Sequence, residues 1–181
     1  MTESALEFVE IKQYLTLFAA EDPACRSSDA SCPLGGDMKV MMDKSERPVG
    51  LTKDAGYQIG VRRTLHIRHE DAWRVLTSPV GVQMWLGAVS ELNFAEGARY
   101  ELSDGSRGEI RVFSPDSHLR ITWQPQGWSR ASTIQLRVIP KGDKTVVAFH
   151  QEHLPGPKER AKRREHYMAV LNHLERIIRS V

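Results

Sequence analysis

The stretch Tyr57-Gln-Ile-Gly-Val-Arg-Arg-Thr-Leu-His-Ile-Arg-His-Glu-Asp-Ala-Trp-Arg-Val-Leu-Thr-Ser-Pro-Val-Gly-Val-Gln-Met-Trp-Leu86 decides the fold. Tyr57, Ile59 and Val61 alternate with other residues, and Leu65 and Ile67 resume the pattern, which predicts a strand over about residues 57–66. The period then changes. Glu70 to Thr77 reads as a short helix with Ala72, Val75 and Leu76 inward and Trp73 beside them. Ser78-Pro79 stops it, and Pro79 suits the first turn of a second short helix running through Trp85 and Leu86.

Downstream the chain breaks into strand-like runs separated by turn residues. The runs are Glu91–Phe94, Ala98–Leu102, Arg107–Phe113, His118–Gln124, Ser129–Ile139 and Lys144–His153. Between them lie Ala95-Glu96-Gly97, Asp104-Gly105, Pro115-Asp116, Pro125-Gln126-Gly127 and Gly142-Asp143. Such spacing predicts an antiparallel meander. Leu154-Pro155-Gly156-Pro157 ends the last run, and a long helix follows from Lys158 to about Ser180. Its apolar stripe is Tyr167, Leu171, Leu174 and Ile178, widened by Val170 and Ile177. Strand, two short helices, six strands and a long helix make an α+β layout, a seven-stranded curved antiparallel sheet wrapped around one C-terminal helix. A bent sheet around a single helix predicts a cavity between sheet, long helix and the two short helices.

Upstream, the character differs. Residues 1–54 hold ten acidic and six basic side chains, a net −4, whereas the remainder is +6, within a total of +2. We therefore divide the chain into an acidic N-terminal extension, 1–54, and a domain, 55–181. Within the extension, residues of about 5–18 read as a short amphipathic helix and the rest as irregular linker rich in Pro, Gly, Ser and Asp. Cys25 and Cys32 both fall in that linker. No CxxC and no nearby His completes a zinc set, so we read them as free thiols, with a reversible redox pair as the alternative.

Composition bounds the function. At 181 residues the chain suits one ordinary domain with an appendage. It has no apolar run of about 18 or more residues and no basic leader followed by an apolar stretch, so neither a membrane span nor a secretory signal is expected, and a cytoplasmic location is. A net charge of +2 does not point to nucleic acid. No HExxH, GxSxG or P-loop is present, so metalloprotease, hydrolase and NTPase readings lack a motif, and none implies a cofactor. His66 with His69, and His150 with His153, stand three apart on or near strands, which points them to opposite faces. His166 and His173 are about 10 Å apart along a helix, too far for one metal ion. Glu109 and Arg137 read as outer-face residues of the sheet, with a polar pocket role as the alternative. The basic run Lys158–Arg164 reads as a solvated helix face, with docking of the acidic extension, an anionic partner or nucleic acid as the alternatives.

The quoted stretch, from Val61 to Leu86, resembles the opening of the START-related helix-grip superfamily, also called SRPBCC. It is most similar to the branch named after the C-terminal domain of the activator of the heat-shock-protein-90 ATPase. Three further segments resemble that branch in order: Arg107–Trp123, Ser132–Leu154, and the closing helix with Asn172-His-Leu174. The resemblance covers about residues 56–181 and specifies fold more than function. It implies that a hydrophobic or amphipathic small molecule or lipid is held in the groove under the long helix. On that basis Trp85, Phe94, Tyr100, Trp123, Trp128, Tyr167 and Leu171 are the candidate lining residues, with plain core packing as their alternative. The alternatives to this binding function, in order, are a protein-interaction module with a chaperone or other protein partner, and a polyketide cyclase-like or hydrolase-like enzyme using the same groove.

Overall fold

The computed structural model describes residues 48–180. The expected helix over about 5–18, the linker, and Cys25 and Cys32 lie outside the described residues. The elements are β1 (Leu51–Thr52), β2 (Gly56–Leu65), α1 (His69–Thr77), α2 (Pro79–Trp85), β3 (Arg99–Glu101), β4 (Arg107–Ser114), β5 (His118–Trp123), β6 (Ser132–Lys141), β7 (Lys144–Leu154) and α3 (Pro157–Ser180). They form the expected helix-grip architecture. One seven-stranded sheet has the order β1-β2-β7-β6-β5-β4-β3, and every pairing is antiparallel. Its edges are short, two residues in β1 and three in β3, while β6 and β7 run for ten and eleven.

One expected strand is replaced by another. Glu91–Phe94 is not a strand, and the count of seven is completed by Leu51–Thr52, which pairs with Tyr57 and Gly56. The reason is packing. Leu92 and Phe94 alternate with the exposed Glu91 and Asn93 as strand residues would. They bury their side chains from a loop instead, Phe94 stacking on Phe113 at 5.2 Å. The run Ser129–Ile139 also starts later, at Ser132, leaving Trp128 on the connecting loop.

The two short helices are set by local chemistry. Ser78 separates them, and its hydroxyl accepts from the Gly81 N–H at 3.1 Å, ahead of Pro79 in the first turn of α2. Gly81 is obligatory, because a Cβ there would collide with the Val75 carbonyl of α1. The contact brings Trp85 under α1, where its indole N–H donates to the Leu76 carbonyl at 2.9 Å.

The pleat assigns the two faces of the sheet. The inner face carries Ile59, Val61, Leu65, Ile110, Leu119, Ile121, Ile134, Leu136, Val147 and Phe149, against which α3 lays Tyr167, Val170, Leu171 and Leu174. Phe149 joins Trp85 at 6.1 Å and Tyr167 at 4.7 Å, the latter nearly parallel. These rings fill the space in which a cavity was expected. Farther along α3, a void of about 20 Å³ remains among Leu65, Val75, Leu76, Val147, Leu174 and Ile178. That is room for about one water, and the lining is apolar.

Candidate functional site at the groove mouth

Polarity concentrates where the N-terminal half of α3 crosses β5, β6 and β7. Trp123, Ser132 and Gln151 have inner-face parity on three neighbouring strands, and Arg163 and Tyr167 stand four apart on α3 above them. Their hydrogen bonds form a directed chain. Arg163 donates Nε–H to Gln151 Oε1 and Nη2–H to the Tyr167 hydroxyl, each at 2.8 Å. Tyr167 donates to the same Gln151 oxygen at 2.8 Å. Gln151 donates through Nε2 to Ser132 Oγ at 2.8 Å, and Ser132 donates to the Trp123 carbonyl at 2.9 Å. Gln151, Ser132 and Tyr167 are fully buried, so leaving any of these groups unpaired would be costly.

Two features of this chain are incomplete. The Arg163 guanidinium carbon lies 4.6 Å from the ring centres of both Trp123 and Tyr167, a doubled cation–π contact. Among the described residues, no carboxylate pairs with it. The Trp123 indole N–H is buried and has no acceptor among the described residues. Around this pair, burial pushes the phenols of Tyr100 and Tyr167 upward, which keeps both as O–H donors at neutral pH. Burial, then the charge of Arg163, pulls the imidazole of His166 below its ordinary value, and its Nε2 sits 2.9 Å from the Trp85 carbonyl.

The architecture has known relatives. A family model described as "Activator of Hsp90 ATPase homolog 1-like protein" matches residues 66–179. This chain belongs to that family. The activators of 90 kDa heat shock protein ATPase, homolog 1, of Homo sapiens and Mus musculus are each 28% identical to it over 120 residues. Those alignments take in 65% of this chain but only 35% of each relative, so the chain spans about a third of the length of the curated relatives it matches. Among solved structures, CalU16 of Micromonospora echinospora superposes with a TM-score of 0.58 at 20% identity, over 67% of this chain and 75% of that one. Protein MLL2253 of Mesorhizobium loti gives 0.56 at 21% identity, over 68% and 98%. At such identities the likeness is one of fold.

Within this Activator of Hsp90 ATPase homolog 1-like domain the candidate residues fall into two groups. Trp85, Tyr167 and Leu171 are fully buried in the central core, and Phe94 packs on Phe113 from its loop. Tyr100, Trp123 and Trp128 gather at the polar end. Tyr100 reaches over Gly108 to donate to the Thr122 carbonyl at 2.6 Å, a path that a Cβ at Gly108 would obstruct. Trp128 meets Trp123 edge-on at 5.5 Å. Glu109 lies on the outer face, bound by Arg111 at 2.8 Å, and Arg137 is exposed. An open outer-face hollow of about 630 Å³ borders Glu109, with Arg99, Glu101, Arg107, Thr122 and Gln124 around it. No group of three or more His, Cys, Asp or Glu among the described residues could hold a metal ion. No helix among them is long and apolar enough to cross a membrane.

Sequence reasoning missed Gln151, Ser132 and Arg163. The signal was present. Gln151 shares the parity of Val147 and Phe149, which places a polar side chain on the core face, and Arg163 precedes Tyr167 by one helical turn.

Proposed function

We propose that this chain is a helix-grip binding domain that takes an amphipathic small molecule at the mouth of its groove, head group inward. The observation that carries this reading is the buried Trp123 N–H without an acceptor among the described residues, beside a chain in which Ser132, Gln151 and Tyr167 are hydrogen-bonded. A buried donor left bare is unfavourable, and an oxygen of a ligand would satisfy it. The half-buried rings of Trp123 and Trp128 supply apolar surface for the body of that molecule. The test is calorimetric titration of the full chain with octan-1-ol and octanoate, and with 1-naphthalenemethanol and 1-naphthoate. Saturable binding, weakened by Trp123→Phe, is expected. Absence of binding by all four compounds would overturn the reading.

A second reading rests on the relatives. Two curated proteins related at 28% identity are named activators of a heat-shock-protein-90 ATPase, which favours a chaperone partner for this chain as well. Stimulation of such an ATPase by the purified full chain, or capture of the chaperone's middle domain on it, would support that reading. Neither effect occurring at tens of micromolar chain would reject it.

A further inference from the structure

We infer that the head group taken at the groove mouth is a single carboxylate; this rests on the binding function proposed above. The argument is one of charge and donor geometry. Arg163 carries a full unit of positive charge at a half-buried position, and its Nε and Nη2 are committed to Gln151 and Tyr167. Its remaining amino group, Nη1, has no protein acceptor among the described residues. The guanidinium carbon lies 4.6 Å from the centre of the Trp123 ring, whose indole N–H also lacks an acceptor among the described residues. N–H groups of Arg163 and Trp123 without an acceptor among the described residues, with one charge that no described carboxylate pairs, suit the two oxygens of a monoanionic carboxylate. An alcohol or amide would satisfy a donor but leave the charge unmatched. A dianionic phosphate would bring more negative charge than the one guanidinium offsets. Among the described residues, no acid competes at this end. On the inner face the ion pair of Arg63 with Glu175 lies farther along α3, twelve residues beyond Arg163. Glu109 and Glu152 have outer-face parity, where they pair with Arg111 and Arg120.

The experiment compares matched tails: octanoate against octan-1-ol, and 1-naphthoate against 1-naphthalenemethanol, titrated into the full chain. Each acid should bind roughly tenfold or more tightly than its alcohol, as expected of a charge-assisted hydrogen bond. Arg163→Gln should abolish the preference, and Arg163→Lys should restore part of it. Equal binding of acid and alcohol would overturn the carboxylate assignment while leaving the groove reading intact, whereas binding of neither would remove both. Retention of the acid preference in Arg163→Gln would also overturn the assignment. Because Arg163→Gln also cuts two structural hydrogen bonds, a second measurement avoids that variant. The Trp123 indole N–H resonance, identified by its loss in Trp123→Phe, should shift on adding 1-naphthoate. No shift at saturating acid would equally overturn the proposal.

Discussion

Helix α3 covers two interiors of opposite character. Toward its C-terminus, Leu174 and Ile178 meet Leu65, Val75, Leu76 and Val147 around a small apolar void. Toward its N-terminus, Arg163 and Tyr167 meet Gln151, Ser132 and Trp123 through hydrogen bonds. The same sheet backs both. The apolar end gains its stability mainly from burial, with the Arg63–Glu175 ion pair on the same stretch of the helix. The polar end pairs most of its buried donors, and among the described residues it leaves the Trp123 N–H and part of the Arg163 guanidinium without an acceptor. The division teaches that stability and recognition occupy different lengths of one helix, so each can be perturbed separately.

The largest effect should come from the apolar end. Leu174→Ala enlarges a void that already exists, and a loss of about 3 kcal/mol is expected from urea unfolding, with ligand titrations unchanged. A loss below about 1 kcal/mol would mean that the helix end can collapse onto the sheet, and the contrast would weaken. Next comes the hub of the polar end. Gln151→Leu roughly keeps the volume but strands the Arg163 Nε–H and the Tyr167 O–H, both of which donate to Gln151 Oε1, and should cost about 2 kcal/mol. Should the leucine variant prove more stable than the parent, the polar chain would be a burden in the fold, as buried polar networks sometimes are.

A smaller effect is visible only against pH. The imidazole of His166 sits below its ordinary value of 6.5 in the folded state, through burial first and Arg163 second. The unfolded chain therefore binds the proton more readily, so the associated stability is present above about pH 6.5 and is lost as pH falls through the folded value. His166→Gln should flatten that acid slope of the melting temperature, and an unchanged slope would show that other groups set it. The smallest effect separates two tryptophans. Trp85→Phe removes a donor bonded to Leu76 and should cost about 1–2 kcal/mol, whereas Trp123→Phe removes a donor with no acceptor among the described residues and should change stability by less than about 1 kcal/mol. Equal losses in the two variants would mean that the Trp123 N–H has a partner after all.

The two ends were not equally legible in the sequence. The apolar stripe of α3 and the alternation in β4 to β7 repeat over many residues, so single exceptions do not hide them. Turns announced themselves chemically: Gly105, Asp116, Gly127 and Gly142 all have positive φ, the conformation their residue types tolerate. Glu91–Phe94 misled because alternation reports burial on one side and not hydrogen bonding to a neighbour, and a loop can meet the first condition alone. The polar end stayed hidden for a related reason. Gln151, Ser132 and Arg163 look like solvent-facing residues by type, and only parity with their apolar neighbours places them inside. Bulky residues were singled out by size, which found Trp123, Trp128 and Tyr100 but could not separate them from Trp85 and Leu171 in the filled core, or from Tyr167, whose ring packs in that core while its hydroxyl joins the polar chain.

The sheet's borders have a further consequence. Strands of ten and eleven residues such as β6 and β7 would be dangerous templates if they stood at the rim, since an open backbone ladder recruits copies of itself. Here both rims are stubs, the two residues of β1 and the three of β3, and the latter displays Arg99 and Glu101 outward. Both β6 and β7 are paired on either side, so neither offers its ladder to a neighbouring molecule. By placing these two strands in the middle, the architecture keeps them from templating fibrous self-association.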